Sequence, residues 1–379
     1  FLMFGAYSII TTLNCDILAL MNGGNSARLP LFDVTKALMM LWVIWGHLGL
    51  YGIVSVPEGN YPHLLNAKIG VNMPVFFVIS GYFAASTFAK GGWSKVAARA
   101  VGFLWPQTAL ASCVAAVGLL LAMDFSESVE YLLSIWFLRT MLVVYLLAAV
   151  AYKLFKSDGF RWLAMAGIYG LMIFLPGGLK SFWIGQSAHM FPYFVFGLMV
   201  LRKRELFKDV GISLLCGLFF FAVVLLEGNT PTVGMSFWNG VTHWADVIAS
   251  PYNIVTFFAR TAVGIAGSVF VLFVIDQLLR VCPRLSFIGA LGTTTMGVYV
   301  LHEVVLINKC GAKLSLLPLP SWTRWLVAIA YLLVCHLVVV LVRRYSVSHF
   351  LFFGDEKRTE AVFAWVRSAA PESEKQLVR

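Results

Sequence analysis

Residues 33–47 read DVTKALMMLWVIWGH, an apolar run that nevertheless carries Asp33, Lys36 and His47. A charged side chain at the centre of a bilayer costs about 2.5–3.5 kcal/mol on insertion scales, so ionisable groups in such a run are functional candidates. Lys36 and His47 are eleven residues apart, which is close to three helical turns and about 16 Å along the axis. The spacing predicts that both side chains lie on one helix face, and that Asp33, one turn before Lys36, pairs with it.

The composition of the whole chain explains where such a run would lie. Of the 379 residues, 60% are hydrophobic and only 12% are charged, and the mean hydropathy is +0.84. A soluble domain of this size would need more charge on its surface, so we predict an all-α, polytopic membrane protein. The six cysteines are scattered without a CxxC pair, which indicates buried hydrophobic side chains and neither a disulfide framework nor a metal site.

Long apolar segments predict about ten transmembrane helices. The predicted segments are 31–53, 70–89, 101–123, 130–152, 162–178, 188–201, 210–227, 252–275, 285–307 and 321–342. The sixth is short and the fifth ends in Pro176-Gly177-Gly178, which points to bent or re-entrant segments there. The predicted organisation is an N-terminal lead at 1–30, in which Met21 would be an alternative start, a transmembrane domain at 31–342 and a tail at 343–379.

Basic residues alternate between the links that join these segments. Lysines and arginines cluster after the second, fourth, sixth, eighth and tenth segments, whereas the intervening links are acidic or sparse, apart from Lys309 and Lys313. The positive-inside rule therefore predicts that both termini are cytoplasmic. Because this pattern accounts for much of the net charge of +10, we expect no nucleic-acid partner.

Further polar groups lie within the predicted helices, namely Arg139, Arg260 and the pair His302-Glu303. Counted along their helices, His47 and His302 come out at comparable depth, and both arginines lie in the same leaflet. Two imidazoles and two guanidinium groups would suit proton transfer and stabilisation of an oxyanion if their helices are neighbours.

Most of these residues also have a purely structural interpretation. Asp33 and Lys36 could anchor the first helix at the membrane interface. Arg139 could hold helices together, and Glu303 could be an interfacial carboxylate. The Ser80-Gly81 step is typical of close helix packing, because no GxSxG elbow surrounds it as a nucleophile would require.

Five stretches occur in an order that resembles the membrane-bound acyltransferase 3 family of bacterial carbohydrate O-acyltransferases. They are FDVTKALMMLWVIWGH, MPVFFVISGYF, WFLRTMLVVYLL, FPYFVFGLMV and FIGALGTTTMGVYVLHEVVL, and the similarity runs from about residue 28 to 344. The first is the most specific, with a basic residue, ten intervening residues and then histidine, here Lys36 to His47. Lysine at the first position and Gly-His at the end resemble the branch related to fucose 4-O-acetylase and nodulation-factor acetyltransferases.

The resemblance implies that His47 is the catalytic histidine, that Lys36 is a donor-site or supporting cation, and that His302 is the histidine of the family's last motif. The chain departs from the family where an Arg-x-x-Arg pair is expected on the cytoplasmic side, because Arg99 is followed by Gly102. This leaves a phosphate clamp by that pair in doubt, and Lys95 with Arg99 would share the task.

The expected reaction is acyl transfer in the bacterial inner membrane, from acetyl-CoA to a hydroxyl of an extracytoplasmic or lipid-linked carbohydrate. Succinyl stays open as the acyl group, no cofactor is permanently bound, membrane lipid surrounds the chain, and a homo-oligomer is left open. His47 would be the general base, with Arg139 or Arg260 at the oxyanion; direct transfer and an acyl-His47 intermediate both fit. The alternative is a secondary transporter, which also needs buried charges but favours paired broken helices in related halves.

Overall fold

The computed structural model describes residues 29–50, 61–120, 136–174, 182–227, 251–305 and 323–344, and all regular structure within them is helical. The α-helices are α1 (Pro30–Leu50), α2 (Tyr61–Lys90), α3 (Trp93–Leu120), α4 (Trp136–Leu154), α5 (Asp158–Phe174), α6 (Phe182–Val195), α7 (Val210–Glu227), α8 (Pro251–Val281), the short α9 (Gly289–Gly292), α10 (Thr295–Val305) and α11 (Thr323–Arg344). Helix α6 continues through a π-helical turn, Phe196–Leu201, into Arg202–Arg204, and short 3₁₀ turns precede α7 and α9.

Six of these helices are long and apolar enough to cross a membrane, and the bent pair of Pro283–Gly292 and Thr295–His302 would form a seventh span. Large hydrophobic side chains cover the outer faces of α7 and α11, where Leu218 is 69% exposed and Leu326 is 59% exposed. Such surfaces are stable only against lipid or another apolar partner. The prediction of an all-α membrane protein is therefore confirmed, whereas the count of ten spans and the cytoplasmic termini stay predictions.

The lysine- and arginine-bearing helix ends meet at one end of the bundle, which we call the basic end. Lys153 of α4 donates a hydrogen bond to the Gly91 carbonyl at 2.5 Å, just before α3 begins. Lys203 at the end of the α6 span pairs with Asp158 at the start of α5, also at 2.5 Å. These contacts fix the relative direction of the helices, so α2, α4 and α6 run towards the basic end and α3 and α5 run away from it.

Helix α1 begins at the basic end. The Phe32 ring lies 4.7 Å from the Tyr82 ring and 6.1 Å from the Phe207 ring, measured between centroids. Because α1 runs away from this end, Lys36 lies near it and His47 lies about three turns deeper in the bundle.

Helix α2 and the π-helical turn of the α6 span cross at two glycines. A Cβ on Gly81 would overlap the carbonyl oxygen of Phe194, and a Cβ on Gly197 would overlap the carbonyl oxygen of Val78. The two backbones therefore touch directly, as the Ser80-Gly81 pattern predicts for a close helix crossing.

The break in the bundle lies in the ninth predicted segment. Helices α9 and α10 meet at 51° across Thr293 and Thr294, whose hydroxyl groups donate to carbonyls one turn back. Gly292 packs so tightly on α1 that a Cβ would overlap the Asp33 carbonyl oxygen. The break thus lies beside a close backbone contact, and threonine hydroxyls satisfy carbonyls that the interrupted helix leaves open.

The sixth segment is longer than the predicted 188–201, and it is not re-entrant. The span around α6 runs from Ile184 to Arg204 as 21 residues and takes up one extra residue as a π-helical turn without breaking. The Pro176-Gly177-Gly178 motif, which suggested a second bend, lies outside the described residues.

Candidate active site

His47 of α1 and His302 of α10 meet through their ring edges. Nδ1 of His47 lies 3.1 Å from Nε2 of His302, the ring planes differ by 7°, and the ring centroids are 5.2 Å apart. The ring planes are nearly parallel, the nitrogen atoms are at hydrogen-bond distance and the centroids are far apart. The rings therefore lie side by side and not face to face. The two histidines that the sequence places at comparable depth are thus hydrogen-bonded to each other.

The backbone of α10 fixes the direction of this hydrogen bond. Nδ1 of His302 lies 2.6 Å from the carbonyl oxygen of Tyr299, and because a carbonyl oxygen only accepts, this nitrogen carries a proton. Nε2 of a neutral His302 is then an acceptor, so His47 donates from Nδ1. This leaves the lone pair of His47 on Nε2, in the form that a general base requires.

The two histidines differ in burial. His302 is completely buried, at 0% exposure, whereas His47 is partly exposed. Only His47 therefore retains surface through which a reacting group could approach. The sequence suggested a role for His302 near the acceptor or the oxyanion; the geometry places it behind His47, where it orients the first ring.

One face of α1 carries the residues that the sequence singled out. Nζ of Lys36 lies 2.6 Å from Oδ1 of Asp33, and both side chains are partly buried. Met40 and Val43 follow Lys36 at helical spacing and lead on to His47, so all four share a face. Between the ammonium group and the imidazole, this face borders a cavity.

The space at this cavity that no atom fills, open solvent at its mouth included, amounts to about 470 Å³. Its lining residues are Met40, Val43, Met73, Phe76, Phe103, Phe137, Leu138, Met141, Thr295, Met296 and Tyr299. Four methionines and three phenylalanines make this lining almost entirely apolar and adaptable in shape. Tyr299 is one turn from His302 on α10, so the cavity extends along α10 towards the histidine pair.

Arg139 lies behind the wall of this cavity. It is only 6% exposed and sits on α4 between the lining residues Leu138 and Met141. Its guanidinium group interacts electrostatically with the Tyr299 phenol, whose hydroxyl accepts a hydrogen bond from the Phe137 N–H at 3.3 Å. Arg139 thus contributes positive charge next to Tyr299, on the same side of the bundle as the histidine pair.

Arg260 belongs to another group of side chains. We call Tyr169, His189, Tyr193, Arg260 and Thr261 the second polar cluster; they come from α5, α6 and α8. Arg260 interacts electrostatically with His189 and Tyr193, and the Tyr193 hydroxyl donates to the Arg260 carbonyl at 3.3 Å. Arg260 therefore lies beside α6, whereas Arg139 lies beside Tyr299 of α10.

The residues expected near the donor lie at the basic end, where α3 begins. Lys95 and Arg99 are exposed, and the Arg99 guanidinium carbon lies 5.6 Å from the centroid of the Phe103 ring. Phe103 is a wall of the cavity, so Arg99 lies beside that wall towards the basic end. Gly102, which replaces the second arginine of the family's pattern, faces open space, because a Cβ there would meet no heavy atom within 4 Å.

Sequence reasoning missed Arg324, at the start of α11. Arg324 is 1% exposed, its Nε donates to the Trp45 carbonyl at 2.8 Å, and its guanidinium carbon lies 4.2 Å from the centroid of the Trp45 ring. It therefore holds the α1 backbone two residues before His47. The available signal was an arginine inside an apolar segment, but its place near a predicted helix end made it resemble an interfacial anchor.

His336 of α11 was also missed. Its Nδ1 lies 2.8 Å from the Thr294 hydroxyl, and Arg343 on the same helix donates to the Thr293 carbonyl at 3.1 Å. Helix α11 therefore braces the break between α9 and α10. The Glu303 side chain lies outside the described residues, so its predicted role stays a prediction.

Comparison with known proteins adds one finding. A family model described as an acyltransferase domain matches residues 30–344, which includes every helix from α1 to α11. Searches among curated proteins and among solved structures gave no match. Within the part of the chain that the structure describes, no group of three or more histidine, cysteine, aspartate or glutamate side chains could hold a metal ion.

Proposed function

This chain belongs to the acyltransferase 3 family, and from that premise we propose that it transfers an acyl group from cytoplasmic acyl-CoA to a hydroxyl of an extracytoplasmic or lipid-linked carbohydrate. The observation that carries the proposal is the hydrogen-bonded His47–His302 pair, whose geometry leaves a basic nitrogen on the partly exposed His47. Acetyl is the proposed acyl group, because the branch that the first motif resembles transfers acetyl. The proposed location is the bacterial inner membrane, with the basic end towards the cytoplasm.

The donor would enter from the basic end. Its phosphates would bind near the exposed Lys95 and Arg99, since arginine and lysine pair strongly with phosphate. The cavity beside Phe103, Met40 and Val43 would take the thin thioester arm. This path supports the proposal because it follows the same face of α1 that ends at the imidazole.

His47 would act as the general base. Nε2 removes the proton of the acceptor hydroxyl as its oxygen attacks the thioester carbonyl carbon; the carbon–sulfur bond then breaks, and the coenzyme A thiolate takes up the proton. His302 stabilises the intermediate imidazolium by accepting from its Nδ1–H. Positive charge from Arg139, next to Tyr299, favours the developing oxyanion. In the alternative route, Nε2 itself attacks the thioester and His47 carries the acyl group.

The decisive experiment measures acyl transfer by purified protein in lipid vesicles, with labelled acetyl-CoA and a glycan acceptor. We expect a His47→Ala variant to lose at least about 100-fold in rate, the usual contribution of a positioned base. Arg204→Gln is the control, because Arg204 is exposed at the basic end. Full transfer by a folded His47→Ala protein would exclude the proposed role.

A transporter remains the second candidate because one span is broken between α9 and α10, as transporter spans often are. The two functions differ in a product that can be measured. An acyltransferase releases free coenzyme A in proportion to the modified acceptor. A transporter moves an unmodified solute into vesicles and releases no coenzyme A. Mass analysis of surface glycans with and without the protein, read as the gain of one acetyl group, tests the same point in cells.

A further inference from the structure

The second polar cluster brings five polar side chains together inside the bundle. The Tyr193 hydroxyl donates to the Arg260 carbonyl at 3.3 Å, and Thr261 follows Arg260 directly on α8. The rings of His189 and Tyr193 meet edge to face, with centroids 5.8 Å apart and planes at 90°. Arg260 adds a positive charge beside both of them. A concentration of hydrogen-bonding groups around a cation is costly within a membrane and indicates a functional site.

The packing of α8 holds this cluster in place. A Cβ on Gly264 would overlap the Tyr193 ring, so α8 approaches that ring as closely as a glycine allows. The Ser268 hydroxyl donates to the Gly264 carbonyl at 2.6 Å, so this carbonyl has a hydrogen-bond partner. The phenol of Tyr193 therefore has little freedom, and its hydrogen bond to the Arg260 carbonyl holds the α8 backbone in place beside the cluster.

Gln186 provides an independent sign of a ligand. It lies three residues before His189 and seven before Tyr193 on α6, so the three side chains share one face. Gln186 is only 7% exposed, and its Nε2 has no hydrogen-bond partner among the described residues. Buried amide groups are normally paired, so an unpaired donor on the helix face that carries His189 and Tyr193 indicates that something with acceptor atoms binds there.

The chemistry of the cluster favours an anion. A guanidinium group offers five N–H donors and the Gln186 amide offers two, whereas neither Arg260 nor the amide nitrogen of Gln186 can accept. Arg260 is twenty residues before Arg280 on α8, which places it about 30 Å from the basic end. The cluster therefore lies towards the end of the bundle where an extracytoplasmic acceptor would arrive.

We propose that the second polar cluster, with Gln186, binds an anionic oxygen group of the acceptor substrate, either the carboxylate of an acidic sugar or the phosphate of a lipid-linked sugar. The naming of the ligand as the acceptor rests on the proposed function, whereas the anion site itself rests on Gln186, Tyr193 and Arg260. The site would select acidic or lipid-phosphate acceptors over neutral ones, because an anion matches the charge of the partly buried Arg260.

The test is a binding measurement that does not depend on catalysis. Purified protein is titrated with two matched pairs of probes, methyl glucuronide against methyl glucoside and dodecyl phosphate against dodecyl maltoside, and the thermal unfolding midpoint is recorded. One anionic probe should raise the midpoint above its neutral partner, and which pair responds identifies carboxylate or phosphate as the source. Equal behaviour of the charged and neutral members in both pairs would overturn the proposal.

Variants assign the response to the cluster. Arg260→Gln should weaken binding of the responding probe at least about tenfold, the loss expected for a hydrogen bond to a charged group, whereas Arg204→Gln should not. If Arg260→Gln does not fold, Gln186→Leu and Tyr193→Phe replace it and should each weaken binding; unchanged affinity in the variants overturns the site. His47→Ala should bind the responding probe normally. Wild-type protein that binds the probe but transfers no acyl group would reject the proposed function and leave the anion site standing.

Discussion

Nδ1 of His47 donates to Nε2 of His302 across 3.1 Å. This hydrogen bond places the proton of His47 on Nδ1 and leaves its Nε2 as the basic nitrogen. The arrangement extends to the Tyr299 carbonyl, which accepts from His302 at 2.6 Å. A backbone oxygen, a buried imidazole and a partly exposed imidazole thus form a chain with one direction. Such a chain would orient His47 for its proposed role as general base without a carboxylate.

The first prediction concerns His302 as a positioning residue. His302→Ala should lower kcat for acyl transfer by about 10- to 100-fold, in line with the loss of a partner that orients a reacting histidine, while KM for acyl-CoA stays nearly unchanged. His302→Gln should recover part of the loss, because its amide can accept from His47 and donate to the Tyr299 carbonyl. Equal losses in both variants, or a change confined to KM, would show that His302 only packs.

The second prediction concerns the cavity. Met40→Trp places a bulkier ring into the space between Lys36 and His47 and should raise KM for acyl-CoA at least about tenfold, since overpacking a binding space costs about 1–3 kcal/mol. Leu146→Trp is the matched control, because Leu146 is 39% exposed on the outer side of α4. Steady-state kinetics of both variants check this, and an unchanged KM for Met40→Trp would show that the donor takes another path.

The third prediction is a gain of donor affinity. Because a Cβ at Gly102 meets no heavy atom within 4 Å, Gly102→Arg should fold and place a second cation one turn from Arg99. We expect KM for acyl-CoA to fall several-fold at low salt and the gain to shrink as salt rises, since exposed charges are screened. Gly102→Gln controls for helix propensity, which alone favours replacing glycine by about 0.8 kcal/mol. If Gly102→Gln lowers KM for acyl-CoA by the same amount, the charge of the new arginine is not the cause.

The fourth prediction concerns the crossing of α2 with the π-helical turn. Gly81→Ala and Gly197→Ala should each destabilise the protein by about 1–3 kcal/mol, because the added methyl group forces two backbones apart. Gly167→Ala on α5 is the matched control, since its Cβ would meet nothing within 4 Å, and it should be neutral or slightly stabilising. Thermal unfolding in detergent measures all three. Equal melting temperatures would contradict the close crossing.

The fifth prediction is a pH dependence at the basic end. A hydrogen bond from Lys208, at 2.5 Å, holds the pKa of the Glu205 carboxyl below its ordinary value of 4.5, and the Tyr82 hydroxyl adds to this. A carboxyl group whose pKa is lower in the folded state stabilises the fold above its ordinary pKa and loses this contribution as pH falls through the folded value. The same ion pair raises the pKa of Lys208, so that residue's contribution is lost only at alkaline pH.

Wild-type protein and Glu205→Gln should therefore differ in melting temperature at neutral pH and converge below about pH 4. The difference should be small, because the pair is largely exposed. Lys208→Gln removes the same ion pair and should converge with wild type over the same acidic range. A difference that persists unchanged into acid would assign the effect to packing of Glu205 and not to its charge.

Much of α1 could be predicted from the sequence, because its information is local. The spacing of Asp33, Lys36 and His47 determines one helix face, and the ion pair and the cavity both lie on that face. The contact between His47 and His302 depends on how α1 and α10 pack, and 255 positions separate the two residues. The sequence predicts that His47 and His302 lie at comparable depth, but it does not predict that they are in contact.

The bend expected at Pro176-Gly177-Gly178 lies outside the described residues and stays a prediction. The break that the structure shows, at Thr293 and Thr294, lies beside the backbone contact between Gly292 and Asp33. That contact is made across two distant parts of the chain. Arg324 was overlooked because its partner, the Trp45 carbonyl, is a backbone group with no signature in the sequence.

The backbone contact of Gly292 with Asp33 and the imidazole contact of His302 with His47 clamp α1 at two levels, fourteen residues apart on that helix, which is about 21 Å. Because α9 and α10 each hold α1 at one of these levels, a substitution that pushes Gly292 away from Asp33 should also disturb the registration of His302 with His47.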